Sequence, residues 1–289
     1  MDHIKTYQNV NRQNPRQHFG ISRMEDIYAR REGVVDSPHR HDYYTVLLVK
    51  RARGAHFIDF REYPLRGRQV FFIAPGQVHQ VVEEEASVGY SLVFSRAFLA
   101  ENNIPFRFLD DLNLFRDYGD SPPMDLEAER LRQLSYYCEE MLVDYHSQDR
   151  FRHQAAAALL EIFLIRANNW CTLPFGDPHG LEAGNLILRE FKKLVEKRFG
   201  QWHQSQQYAE ALHITPDHLN RTVKSLIGKT AKEYLQSRLV IAAQRLLYFS
   251  EQNNKEIAYE LGFSEPANFS AFFKKHVGVS PSAFRKQRV

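Results

Sequence analysis

The feature that most constrains this chain is an internal repeat in its last hundred residues. Ala209, Leu212 and Ile214 recur as Ala258, Leu261 and Phe263, displaced by 49 positions. Beyond the following turn the displacement becomes 50, and Pro216, Leu219, Val223 and Gly228 are answered by Pro266, Phe269, Phe273 and Gly278. Thr230-Ala231 with Tyr234 is answered by Ser280-Pro281 with Phe284. Each copy meets the steric demands of a helix-turn-helix. A small residue (Ala209, Ala258) lets the first helix approach the second, and apolar residues three and five positions on anchor the turn. Gly262 stands where a left-handed backbone is cheap for glycine, and His213 holds that place in the first copy. Thr215 in one copy and Ser264 or Glu265 in the other are expected to cap the next helix, with Pro216 and Pro266 in its first turn.

The second helix of each copy divides into two faces. Leu219, Val223 and Leu226 point inward, leaving Asp217, His218, Asn220, Arg221 and Lys224 outward. In the second copy Phe269, Phe272 and Phe273 point inward, leaving Ala267, Asn268, Ser270, Ala271, Lys274 and Lys275 outward. Arg and Asn read guanine and adenine edges in a major groove, so these outward residues are the candidate DNA contacts. Ala231–Phe249 carries neither Gly nor Pro and predicts one continuous helix of 19 residues between the copies. At about 1.5 Å per residue it is roughly 28 Å long, comparable with the roughly 34 Å between successive major-groove faces.

At Arg238, Ala242, Leu246-Leu247, Ile257-Ala258, Gly262-Phe263, Asn268-Phe269, Phe273-Lys274-Lys275, Gly278, Ser280-Pro281 and Phe284-Arg285 the chain resembles the AraC/XylS family of transcription regulators. The resemblance implies a seven-helix DNA-binding domain, often joined to an N-terminal cupin-like sensor and dimerisation domain. Charge is distributed to match. Residues 180–289 carry a balance of +7 and the rest −4, within a total of +3, as expected when one end alone meets phosphate.

At 289 residues the chain calls for two domains. The expected organisation is a mainly-β cupin-like barrel with two following helices at 1–172, a linker at 173–184 rich in Pro and Gly, and an all-α double helix-turn-helix at 185–289. In the first part, Tyr43–Val49, Val70–Ile73, Val81–Val82 and Tyr90–Phe94 read as short strands. From Met124, Leu126, Leu131, Leu134, Tyr137, Met141 and Tyr145 recur at helical spacing, and a second helix is expected at about Phe151–Asn168. The first of these helices, with Leu131, Leu134 and Met141, is the expected homodimer seam. The polar N-terminus suggests no signal peptide, and Ala155–Ile165 is too short to span a bilayer. Two cysteines, Cys138 and Cys171, without metal-type spacing suit reduced thiols in the cytoplasm.

Pro38-His39-Arg40-His41-Asp42 and Pro75-Gly76-Gln77-Val78-His79 look like remnants of the two cupin motifs. In metal-dependent cupins two such histidines join a glutamate and a third histidine at a metal. Here Thr45 and Val46 stand where the glutamate belongs, so His39, His41 and His79 are read as an effector-binding group, with no metal or other cofactor expected. The expected function is a non-enzymatic, sequence-specific transcription regulator, most simply an activator responding to a small molecule. Its partners are duplex DNA, the effector, RNA polymerase and a second copy of itself, with no membrane. The alternative is a cupin-type metal-dependent enzyme, or a metal-binding module, fused to DNA-binding helices.

Overall fold

A computed structural model describes residues 5–7, 10, 18–59, 61–105, 107–115, 121–171 and 181–286. The chain divides into two compact units, within Ile4–Thr172 and Leu173–Val289.

The first unit runs β1 (Lys5–Tyr7), β2 (Phe19–Arg23), α1 (Met24–Arg30), β3 (His39–His41), β4 (Tyr44–Arg51), β5 (Arg53–Ile58), β6 (Arg61–Arg66), β7 (Gln69–Ile73), β8 (Val78–Glu83) and β9 (Val88–Phe94). After α2 (Arg96–Glu101) and α3 (Arg107–Asp111) come β10 (Met124–Asp125), α4 (Ala128–His146) and α5 (Arg152–Trp170). The strands form two five-stranded sheets, ordered β1-β3-β8-β5-β6 and β10-β7-β4-β9-β2, in a cupin-like arrangement. The second sheet is covered on both faces, which is why β4 and β7 read as nearly unbroken apolar runs. Leu47, Val49, Phe71 and Ile73 pack with Ile58 and Leu65 of the first sheet. Val46, Leu48, Val70, Phe72 and Leu92 pack with Leu134, Cys138, Met141, Leu160, Phe163 and Leu164 of α4 and α5. A polar clamp adds to this contact: Arg23 donates to both Glu139 oxygens at 3.0 and 2.7 Å, and Tyr90 Oη donates to the same carboxylate.

Two expectations about α4 are corrected. Helical spacing from Met124 includes a strand, because Met124-Asp125 pairs with Val70 and Gln69, and Leu126 N–H donates to Arg68 O at 2.8 Å. The stripe assigned to a dimer seam is spent inside the protomer, with Leu134 and Met141 fully buried and Leu131 packed against the same core. The second helix spans Arg152–Trp170, close to expectation. Both cysteines are free, Cys138 being buried. No described helix is long and apolar enough to cross a membrane.

The second unit contains seven helices among the described residues: α6 (Leu181–Arg198), α7 (Ser205–Ala211), α8 (Pro216–Ile227), α9 (Ala231–Phe249), α10 (Asn254–Glu260), α11 (Pro266–Val277) and α12 (Pro281–Arg285). Residues 173–180 of the expected linker lie outside the described residues. Leu181–Gly184, read as linker, instead opens α6, whose Leu188, Phe191 and Val195 enter the core. The helix predicted between the two copies has the bounds found for α9.

Both helix-turn-helix turns pass through left-handed backbone, His213 at φ 56° and Gly262 at φ 79°. They are not equivalent. A Cβ on Gly262 would lie 2.1 Å from Gly200 O, and His203 Nε2 sits 2.8 Å from Leu261 O beside it. Thr215 and Pro216 open α8 as expected, the Thr215 side chain accepting from His218 N–H. Glu265 is the N-cap residue of α11, but its side chain makes no capping bond.

These turns give a paired test. Gly262→Ala combines a left-handed cost of about 1–2 kcal/mol with a backbone clash, so guanidinium unfolding should show a loss of about 2 kcal/mol or more. His213→Gly relieves the same backbone conformation without a clash and should stay within about 1 kcal/mol of the parent.

Candidate functional site

The outward faces of α8 and α11 form the candidate DNA interface. On α8, Asp217, His218, Arg221 and Lys224 are exposed. Arg221 Nε lies 3.2 Å from Asp217 Oδ2 one turn earlier, both side chains being more than 70% exposed. A pair this open is worth about 0–1 kcal/mol, so the guanidinium is free to exchange partners at little cost. Asn220 departs from expectation. It is half-buried, and its Oδ1 accepts from Ala231 N–H at 3.1 Å. The side chain assigned to a base edge is thus engaged at the N-terminus of α9, whose first N–H groups have no partner within the helix.

On α11, Ala267, Asn268, Ala271, Lys274 and Lys275 are exposed, whereas Ser270 is half-buried and its Oγ donates to Pro266 O at 3.0 Å. The inward set holds in both copies at Leu219, Val223, Phe269 and Phe273, with Leu226 and Phe272 only half-buried. Neither α8 nor α11 ends by accident. Each stops at a left-handed glycine, Gly228 at φ 72° and Gly278 at φ 89°.

A second constellation lies in the first unit. Side chains two apart on a strand share a face, so His39 and His41 of β3 project together. The β3–β8 register places His79 directly opposite His39. The three rings are mutually adjacent, with centroids 4.8 Å apart for His39–His41, 4.5 Å for His39–His79 and 5.0 Å for His41–His79. His39 and His79 are 5% exposed. One nitrogen of each ring is engaged at the periphery. His39 Nδ1 lies 2.9 Å from Ser37 O, His41 Nδ1 3.2 Å from Thr45 Oγ1, and His79 Nδ1 3.1 Å from His56 Nε2.

His56, which sequence reasoning missed, is fully buried on β5 and stacks edge-on against Phe71. The only signal for it was a polar residue within the apolar run of 55–58, and its partner depends on strand register. Asp36 was also missed. Its Oδ2 lies 3.4 Å from His39 Nδ1 and 2.9 Å from an Arg31 guanidinium nitrogen. Tyr7 of β1 packs edge-on against both His39 and His41.

Burial governs the charge of this cluster. It lowers His41 to about 3, helped by His39 and Arg31, and lowers His56 to about 3, helped by His39. His79 falls well below the ordinary histidine range through burial and then its histidine neighbours. His39 is lowered by burial despite the opposing Ser37 carbonyl and Asp36 carboxylate. Neutral imidazoles each keep one N–H and one lone pair, suited to an oxygen-rich ligand or to a metal ion. Thr45, standing where a cupin carboxylate belongs, supports His41 instead of completing a fourth ligand.

Comparison with known proteins follows this division. A helix-turn-helix domain model matches residues 208–287, and an AraC-like ligand binding domain model matches residues 24–163. An uncharacterized HTH-type transcriptional regulator, YfiF of Bacillus subtilis (strain 168), is 24% identical over 259 residues, covering 86% of this chain and 78% of that protein. The HTH-type transcriptional activator RhaS of Pectobacterium atrosepticum is 22% identical over 253 residues, covering 86% and 87%. The solved structure of ToxT from Vibrio cholerae aligns with 94% of this chain and 100% of that one, at 15% identity and a TM-score of 0.43. With a ligand-binding unit of two sheets ahead of two helix-turn-helix units, and matches to both parts over about three quarters of its length, the chain belongs to the AraC/XylS family of DNA-binding transcription regulators.

Proposed function

We propose that this regulator is a ligand-responsive, dimeric activator in which α8 reads sequence and α11 supplies mainly backbone attachment. The observation that carries this reading is the pair of helix-turn-helix units joined by the single helix α9, each with an exposed second helix. Arg221 has the reach and the bidentate fork for guanine, and Lys224 lies one turn beyond it. Asp217 and His218 flank them at the N-terminal end, where recognition helices meet base edges. The α11 face offers short groups at Ala267, Asn268 and Ala271, then Lys274 and Lys275 for phosphate. Relatives named as activators support activation, and with it contact to RNA polymerase in the cytoplasm. The effector site is assigned to His39, His41 and His79.

With the α4 stripe committed to the core, the dimer seam moves to α5. Its exposed residues Ala155, Ala158, Ile162 and Ile165, with Phe151 at its N-cap, recur at alternating spacings of four and three, the pattern that lets two helices interlock. Ile162 and Ile165 are 42% and 40% exposed, and Tyr136 and Val143 of α4 add apolar surface.

Selection of bound sequences from random duplex DNA, with and without candidate metabolites, tests the whole reading. An effector should shift affinity for the selected site, and DNA binding should fall steeply with salt as counterions are released. Absence of binding at low salt by folded protein overturns it.

The division between helices has its own test. Arg221→Ala should cost about 1–3 kcal/mol on the selected site and relax preference at one or two base pairs. Lys274→Ala or Lys275→Ala should weaken selected and scrambled DNA alike and flatten the salt dependence. Asn220→Ala should lower stability by about 1 kcal/mol, the scale of a lost helix cap, without changing base preference. A uniform loss for Arg221→Ala across single-base variants would remove α8 as the reader.

For the seam, Ile162→Glu with Ile165→Glu should turn the full chain from dimer to monomer in sedimentation. Affinity for a two-half-site DNA should fall by roughly 10²-fold as the effective concentration of the second unit is lost. A dimer that survives the double change places the seam elsewhere.

A further inference from the structure

We propose that His39, His41 and His79 bind a divalent transition metal ion of zinc type through their Nε2 atoms, leaving a coordination position open for an oxygen ligand. The proposal deepens the effector reading of the same three residues. It rests on which nitrogens are already used and which are not. Ligation at Nε2 requires the ring proton at Nδ1, and an acceptor stands there in every case. These are Ser37 O at 2.9 Å for His39, Thr45 Oγ1 at 3.2 Å for His41, and His56 Nε2 at 3.1 Å for His79. Outer hydrogen bonds of this kind are what fix the tautomer and orientation of metal-bound histidines. Asp36 Oδ2 behind His39, at 3.4 Å from Nδ1, adds the carboxylate often found in that role.

The inner nitrogens complete the case. His41 Nε2 and His79 Nε2 are buried and have no hydrogen-bond partner in the structure. Buried polar atoms are rarely left so, and two on adjacent rings of one cluster point to a ligand between them. One ligand atom from each of the three residues lies within 4.8 Å of the others. Tetrahedral ligation at about 2.0–2.1 Å places such nitrogens about 3.4 Å apart, a contraction within reach of small ring rotations. Three imidazoles without thiolate suit zinc and the later first-row divalent ions over calcium or magnesium. Three protein ligands leave zinc a fourth position, which water or a carboxylate or hydroxyl oxygen of an effector can fill.

The experiment uses full-length protein, free of DNA, with Zn²⁺ or Co²⁺ salts as the only added ligands. One equivalent of Zn²⁺ should be retained against a chromophoric chelator, and Co²⁺ should give the visible bands of nitrogen ligation. His41→Ala and His79→Ala should each weaken Zn²⁺ binding at least 100-fold. Thr45→Val, close in shape and remote from the ion, should weaken it roughly 10-fold through the lost support of His41, and serves if either alanine variant unfolds. No retained metal, or retention unaffected in folded variants, overturns the proposal. Three rings that hydrogen-bond an organic effector directly would give the first of these results, with the effector still shifting DNA affinity in chelator. Failure of the metal reading is thereby distinct from failure of the effector reading, which is judged on DNA affinity.

Discussion

The geometry of the DNA-binding unit depends on one helix, α9, and on how its N-terminus is held. Four N–H groups at a helix start have no partner of their own. Thr230 and Glu233 satisfy two of them reciprocally in a capping box, and Asn220 reaches across from α8 to satisfy Ala231. The start of the rod is therefore pinned to the recognition helix that precedes it. Most of its circumference is then buried, at Tyr234, Leu235, Leu239, Ile241, Ala242, Ala243 and Leu247, against helices of both repeats. A helix that is apolar nearly all round belongs in a core. Here the core is the joint between the two helix-turn-helix units, so their separation is set by packing and not by a flexible loop. Arg238 reinforces it from the side, paired with Glu196 of α6 and lying 3.7 Å over the Phe199 ring.

The ligand-binding unit obeys a related rule with the opposite emphasis. Its second sheet is sealed on both faces by apolar packing, which leaves polar chemistry to the first sheet. There the buried side chains of His39, His56, His79, Asp59 and Gln77 gather around β3, β5 and β8. Gln77 donates to Asp59 and to Ser121, and Asp59 accepts from Val78 N–H, so this part of the network is closed. The histidine cluster is not closed. Each buried polar atom without a partner costs about 1–3 kcal/mol, and the interior between two sheets has no structural need of four imidazoles. The polar network anchors the turn that leads into β8, the strand that carries His79, and the open cluster beside it keeps unpaired buried nitrogens at that cost.

The helical half was largely legible because its constraints are local. The displacement of 49 turning to 50, the proline at each helix start and the absence of Gly and Pro from 231–249 all act within a few residues. The bounds of α9 and the left-handed backbone at His213 followed from them. Where the helical half misled, a side chain had two uses. Asn220 lies on a polar face by periodicity, yet the start of α9 folds back within its reach. In the β half the deciding facts are non-local. His39 and His79 were visible as motif residues, but His56 joins them only through the pairing of β5 with β8. Strands β2, β5 and β6 carry too many polar and glycine residues to stand out by alternation. The Leu131–Leu134–Met141 stripe has the composition of a seam, and only three-dimensional packing shows that the sheet already covers it.

The two helix-turn-helix copies share a backbone but not a surface, and the difference has a physical logic. Phe263, Phe269, Phe272, Phe273 and Phe284 knit the second copy together through ring contacts of 5.4 to 6.0 Å. The first copy has aliphatic Ile214, Leu219, Val223 and Leu226 at the matching depth. With small exposed groups and two adjacent lysines, α11 presents a cationic face. Such a face gains affinity from phosphate wherever it lands. The first copy instead exposes an arginine tethered by a weak, solvent-open pair to Asp217. That tether limits the rotamers open to the guanidinium while costing little to break, so ordering it on a base edge sacrifices less entropy than ordering a free arginine. On the proposed reading, sequence discrimination belongs with the copy whose arginine is loosely pre-positioned, and attachment with the copy whose paired lysines meet phosphate.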